Sequence, residues 1–101
     1  MRVAIASEGD STESHVSDKG GRAPYYLLFD NGKRIKSLRN PFLSGGGAGF
    51  AVASMLADEK AELVIGQRFG EKMTGALAGR NIRWKIVKSM TVVETLKEMM
   101  D

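Results

Sequence analysis

The sequence predicts an α/β fold: a three-layer α/β/α sandwich on a five-stranded mixed sheet of order 3-2-1-4-5, in which only the second strand runs antiparallel. Three observations carry that prediction. Residues 2–7, Arg-Val-Ala-Ile-Ala-Ser, form a short continuous apolar run, the pattern of a central strand covered on both faces. Residues 24–30 and 33–39 flank Asn31-Gly32, a two-residue hairpin signal that makes the second and third strands antiparallel neighbours. From Phe50 onwards helical and strand patterns alternate, as they do in parallel βαβ units.

Each element follows from its residues. The first strand ends at Ser7, and residues 8–22 are polar, rich in Ser, Gly and charge, and too long for a simple connection, so they are read as a functional loop. The third strand carries Lys33, Arg34, Lys36 and Arg39 among few apolar side chains, the charge density of a protected sheet edge, and is placed outermost. Asn40-Pro41 breaks it and leads into Ser44-Gly45-Gly46-Gly47-Ala48-Gly49. Residues 50–58 read as a helix whose polar stripe is only Ser54 and Asp58, which places it against a sheet. Residues 62–66 form a second buried strand, reached by a crossover and so parallel to the first. A short helix then ends near Gly79, expected at the C′ position. Ile82, Trp84 and Ile86 alternate with Arg83 and Lys85, which predicts an opposite edge strand with one buried and one wetted face. Thr91-Val92-Val93-Glu94 has the capping-box pattern, and Val92, Leu96 and Met99 share one face of a final helix.

A length of 101 residues with 43% hydrophobic content fits one domain, expected over residues 1–101. No apolar run is long enough to span a bilayer and residues 1–7 are too short for a signal peptide, so a soluble cytoplasmic protein is expected. The absence of cysteine excludes disulfides, thiolate catalysis and the usual Cys-held zinc and iron-sulfur sites. A net charge of +3 favours anionic partners.

With the first strand central, a topological switch point lies between strands one and four, where ligands of open α/β sheets bind. The loops leaving Ser7, Asn40 and Gly66 would meet there. They would gather His15, Ser17, Lys19, Arg22, the amides of Gly45, Gly46, Gly47, Ala48 and Gly49, and Gln67, Arg68 and Lys72. Glu8, Asp10, Glu13 and Asp18 are partial counterweights. A glycine cluster at a helix entrance lets a ligand approach the main chain, and the first helical N–H groups attract anions. The spacing matches neither nucleotide signature. Phe50 stands where a phosphate loop needs lysine and also where the dinucleotide fingerprint needs its third glycine.

Residues 16–26, Val-Ser-Asp-Lys-Gly-Gly-Arg-Ala-Pro-Tyr-Tyr, resemble the V-S-x-H-F-G-R-A-P-Y-F stretch of the dinitrogenase iron-molybdenum cofactor biosynthesis family, which includes NifX, NifY and the C-terminal part of NifB. Gly46-Gly47-Ala48-Gly49 is similar to that family's glycine loop, and Val64-Ile65-Gly66 through Gly70 to its strand and loop. The resemblance covers nearly the whole chain. It implies a ribonuclease H-like motif and a protein that carries an iron-molybdenum or iron-sulfur cluster, with cluster-assembly proteins as partners. One departure stands out: the family's His-Phe pair is Lys19-Gly20 here, and His15 lies four residues earlier.

The residues bear on three function classes. The preferred one is a non-catalytic binding or carrier protein for an anionic metal cluster or oxyanion, held by the glycine-loop amides, Arg22 and Arg68, with His15 as the sole imidazole metal ligand. A two-metal nuclease would need carboxylates clustered around its ions; the first strand has none, and Glu8 and Asp10 have no partners in later strands, so no enzyme is expected. The alternative is a basic-surface module binding nucleic acid or protein through Lys33, Arg34, Lys36 and Arg39, with Tyr25 and Tyr26 as stacking platforms. Adjacent tyrosines alternate in a strand, so one of the two is buried. The expected partners are therefore the anionic ligand and assembly proteins, without nucleic acid or membrane.

Overall fold

Strand β1 (Arg2–Ser7) occupies the middle of a five-stranded sheet of order β3-β2-β1-β4-β5. The computed structural model describes residues 1–43 and 46–100. β2 (Tyr25–Asp30) pairs antiparallel with β1 from Tyr25 opposite Ser7 to Asp30 opposite Arg2. β3 (Lys33–Arg39) returns antiparallel to β2 through Asn31 and Gly32, whose φ values of 53° and 81° are those of a type I′ turn. On the other side β4 (Leu63–Gly66) is parallel to β1, and β5 (Arg83–Ile86) is parallel to β4. The order and the single reversed strand are those the sequence predicts.

Alternation along the strands sorts the core into two halves. Ala4, Ala6, Tyr26, Leu28 and Val64 face helices α1 (Ala48–Asp58) and α2 (Glu71–Gly79), and meet Val52, Leu56, Met73 and Leu77 from them. Val3, Ile5, Leu27, Phe29 and Ile65 face the last helix, α3 (Val92–Met100), and meet Val92, Leu96 and Met99. The result is three layers. Among the described residues no helix is long and apolar enough to cross a membrane.

The two helices of the first layer end alike. After α1, Lys60 is left-handed (φ 62°), its N–H reaches the Ala57 carbonyl at 2.9 Å, and the Ala61 N–H reaches Leu56 at 3.0 Å. After α2, Asn81 (φ 59°) and Ile82 repeat the pattern onto Ala78 and Leu77 at 3.1 and 2.9 Å. These are Schellman closures, and each feeds a buried residue, Ala61 or Ile82, into the strand that follows. Gly79 is therefore not the left-handed stop residue the sequence suggested. It is the last residue of α2, and Asn81 takes the left-handed position, which a short polar side chain tolerates.

β5 also departs from expectation. Ile82 is buried against Leu77, but all four residues from Arg83 to Ile86 are exposed, on both faces. The alternating pattern predicts one buried face. The Schellman closure places only Ile82 in the core, and the strand residues beyond it run along an uncovered edge.

Candidate functional site

The 8–22 loop folds back over the carboxyl end of β1 and is fastened there by its backbone. Ser17 donates its N–H to Ala6 (2.8 Å), Gln67 donates its N–H to Ser17 (3.0 Å), and the Gln67 side-chain amide donates to Val16 (2.7 Å). Ser17 is fully buried, and its hydroxyl accepts the Lys19 N–H at 3.1 Å. Ser17 and Gln67 thus clamp the loop across the switch point and do not line the open groove beside it.

Beyond the clamp the chain makes a single 3₁₀ turn, Gly20–Arg22, held from beneath. The buried Tyr26 hydroxyl donates to the Gly20 carbonyl, and burial pushes its pKa far above the ordinary phenol value. Asn40, also buried, donates to Gly21 (2.9 Å) and Ala23 (2.8 Å) and accepts the Phe42 N–H (2.8 Å). Every buried side-chain polar atom described has a partner. The turn is fixed before any ligand arrives.

Against this turn lie two helix entrances, both capped by glycine. Gly47 precedes α1 in the left-handed region (φ 78°), and Gly70 precedes α2 in extended form (φ −74°, ψ 160°); neither helix has a side-chain cap. A Cβ at Gly46, Gly47 or Gly70 would meet nothing within 4 Å, so these backbones face open space. Together they border a groove of about 340 Å³ whose walls include Lys19, Arg22, Gly49 and Lys72. An adjoining hollow of about 390 Å³ shares Lys19, Arg22 and Gly70 and adds Asp18, Gly20 and Arg68. The positive ends of two helix dipoles and four basic side chains converge on this edge.

The charges are partly organised. The Lys19 ammonium meets Glu8 at 3.0 Å and Asp18 at 3.7 Å, and the hydrogen bond to Glu8 holds its pKa above the usual lysine range. For Glu8, burial works to raise the carboxyl pKa, but hydrogen bonds from Ser17 and Lys19 outweigh it and keep it below the ordinary value. Arg22 donates to the Leu43 carbonyl at 3.0 Å, tying the 3₁₀ turn to the segment before the glycine loop. Phe50, 58% exposed, stands at the rim with the Arg80 guanidinium 4.7 Å from its ring centroid.

The groove thus gathers Lys19, Arg22, Gly46, Gly47, Ala48 and Gly49 from the predicted set, and the adjoining hollow takes Arg68. Gly45 lies outside the described residues. His15 sits elsewhere: it is exposed, its backbone bridges Thr91, and its neighbour is Glu94 at the start of α3, on the opposite layer. Among the described residues no group of three or more His, Asp or Glu side chains could hold a metal ion. The donor set is one of amides, ammonium and guanidinium groups. It fits an anionic cargo and, among the described residues, brings no set of side chains together to ligate a metal.

Sequence reasoning missed Gly21, Gly70 and Asn40. Gly70 could have been found from its place just before a helix, and Asn40 from the Asn-Pro step, where an Asx turn is common. Gly21 gives no local signal, because its role is contact with a distant backbone. The basic strand β3 offers less than its composition suggests: Arg34 meets Asp10 at 2.7 Å and Lys36 meets Glu59 at 3.0 Å.

Two glycine-capped helix entrances and a basic rim at the switch point define an open α/β sheet protein of the kind that takes ligands at the carboxyl ends of its strands. Within that class the chain belongs to the dinitrogenase iron-molybdenum cofactor family, whose model matches residues 1–101. Solved structures agree on the fold. The apo form of the orange protein from Desulfovibrio gigas has a TM-score of 0.91 at 23% identity, covering 99% of this chain and 87% of that one. A Thermotoga protein, TM1290, provisionally described as NifB, has a TM-score of 0.85 at 26% identity, covering 98% and 86%. No curated protein matches the sequence.

Proposed function

We propose that the protein is a non-catalytic, cytoplasmic binding or carrier protein for an anionic cargo, a metal cluster of iron-molybdenum or iron-sulfur type or an oxyanion, handed on by cluster-assembly proteins. Main-chain amides hold the cargo first, and any ligation by His15 is secondary. The observation that carries this reading is the pairing of Gly47 and Gly70, two side-chain-free helix caps opening on one basic groove. Membership of a family named for the iron-molybdenum cofactor supports a cluster as cargo. Lys19 suits the role, since a protonated amine pairs with cluster or oxyanion charge and does not coordinate metal.

Amide donors do not titrate, so binding persists below the ordinary histidine pKa of about 6.5. The test is an NMR titration with molybdate or phosphate, comparing wild type with His15→Ala and Gly47→Val. Gly47→Val forces a branched side chain into a left-handed position, so its spectrum must first show a folded protein. Lost binding in folded Gly47→Val with retained binding in His15→Ala supports the reading. The reverse pattern defeats it.

A further inference from the structure

Trp84 and Ile86 are exposed at 39% and 55%, large apolar side chains two positions apart on β5. They register with Val64 and Gly66, so both project to the α1 and α2 side of the sheet, while Arg83 and Lys85 register with Leu63 and Ile65 and project to the α3 side. The Arg83 and Val87 N–H groups donate inward to Glu62 and Gly66, both at 3.0 Å. Backbone groups alternate in direction along a strand, so the N–H and C=O of Trp84 and Ile86 point away from the sheet. Among the described residues no strand lies beyond β5.

The other edge is blunted and this one is not. β3 has a register irregularity opposite Leu28 and Phe29, and its Arg34 and Lys36 are held in ion pairs. On β5 and just after it, neither Lys85 nor Lys88 has an ion pair among the described residues.

We infer that β5 is a strand-addition edge for an extended segment of another protein in which acidic residues alternate with apolar ones. Main-chain hydrogen bonds to Trp84 and Ile86 give such a segment affinity, and its alternate side chains give specificity. Its apolar residues lie beside Trp84 and Ile86, and its carboxylates lie beside Arg83 and Lys85. A second copy of this chain is disfavoured, because antiparallel pairing of β5 with itself sets Arg83 and Lys85 against the same charges. Tryptophan at the centre of the strip is the residue type that most often dominates binding energy. This surface is independent of the glycine groove.

The chain has one tryptophan, so its fluorescence reports on this strand alone. The probes are a synthetic peptide alternating glutamate with valine and a control alternating lysine with valine. The glutamate peptide shifts Trp84 emission to the blue, binds about tenfold tighter than the control, and protects the Trp84 and Ile86 amides from exchange while those of β3 are unchanged. Ile86→Pro removes an outward donor, leaves the Val87 bond to Gly66, and weakens binding about tenfold. Lys85→Glu narrows the preference between the peptides, because Arg83 alone then favours the glutamate one. If Ile86→Pro does not fold, backbone N-methylation of the glutamate peptide removes the same hydrogen bonds from the partner's side. Four results each overturn the inference: equal or absent binding of the two peptides, insensitivity to both Ile86→Pro and N-methylation, a dimer of this chain that excludes the peptide, and displacement by a single-stranded oligonucleotide.

Discussion

Gly21 and Gly49 touch through their backbones: a Cβ built on Gly21 would lie 2.8 Å from the Gly49 Cα and 3.0 Å from its nitrogen. A Cβ on Gly49 would in turn lie 2.9 Å from the Met73 Cβ. The 3₁₀ turn, the first turn of α1 and the first turn of α2 are therefore stacked with no side chain between the first two. That stack sets the width of the groove, and Arg22, Gly46 and Gly47 are positioned beside it.

Gly21→Ala pushes the turn off α1. An added methyl against backbone cannot rotate away, so a loss of about 1–3 kcal/mol is expected, with weaker anion binding. Gly46→Ala is the matched control, because a Cβ there meets open space. Urea denaturation of the two variants checks this; equal midpoints would show that the stack is not rigid.

Asn40→Ala removes a buried side chain that satisfies the Gly21 and Ala23 carbonyls and the Phe42 N–H. The expected loss is roughly 2–4 kcal/mol, because backbone groups are left unpaired out of water. Asn40→Asp does not rescue, since the carbonyls need donors. A stable Asp variant at neutral pH would refute the assignment.

Thr91→Ala breaks the box at the start of α3, where Glu94 accepts the Thr91 N–H at 2.8 Å and donates its own N–H to the Thr91 hydroxyl at 3.2 Å. About 1 kcal/mol is expected at neutral pH. The hydrogen bonds from the Thr91 backbone and side chain, with a smaller contribution from His15, hold the Glu94 pKa below its ordinary 4.5. A depressed carboxyl pKa contributes stability above the unfolded value and loses it as pH falls through the folded one. The gap between wild type and Thr91→Ala should therefore narrow by about pH 3. Denaturation curves at both pH values measure it, and a constant gap would exclude Glu94 from the cap.

Glu8→Gln frees Lys19 from its closest carboxylate, 3.0 Å away. Anion affinity should rise about two- to fivefold at low ionic strength, the scale of an exposed ion pair, and the gain should fade as salt screens it. Titration with phosphate at two salt concentrations decides. Weaker binding in the variant would mean that Glu8 holds Lys19 in place for the ligand.

The fold was legible because its decisive signals are local. The apolar run of β1, the Asn31-Gly32 turn and the Thr91 and Glu94 box each lie within a few residues, and each formed as its chemistry requires. Of the candidate site, the sequence signalled the part in which backbone borders the groove, as at Gly46 and Gly47. Ser17 and Gln67 looked like polar ligand groups, but hydrogen bonds between the 8–22 loop and the end of β4 turn them into fastenings, and no spacing rule reports such contacts. Trp84 and Ile86 misled for a related reason: alternation predicts which side chains share a face, while burial depends on whether another element covers that face.

The central place of β1 bears on how the protein is made. Of the five strands it leaves the ribosome first, yet one of its two neighbours, β4, begins only at Leu63. At about 5–20 residues per second, the flank of Val3, Ala4 and Ile5 that β4 will cover stays open for several seconds after synthesis, with β2 alone to hold the strand. A nascent chain halted before Leu63 should accordingly be cut within Arg2–Ser7 by protease, and one halted with Gly66 clear of the exit tunnel should resist. During that interval the strand that ends as the best protected in the molecule is open to chaperones and to other unfinished chains.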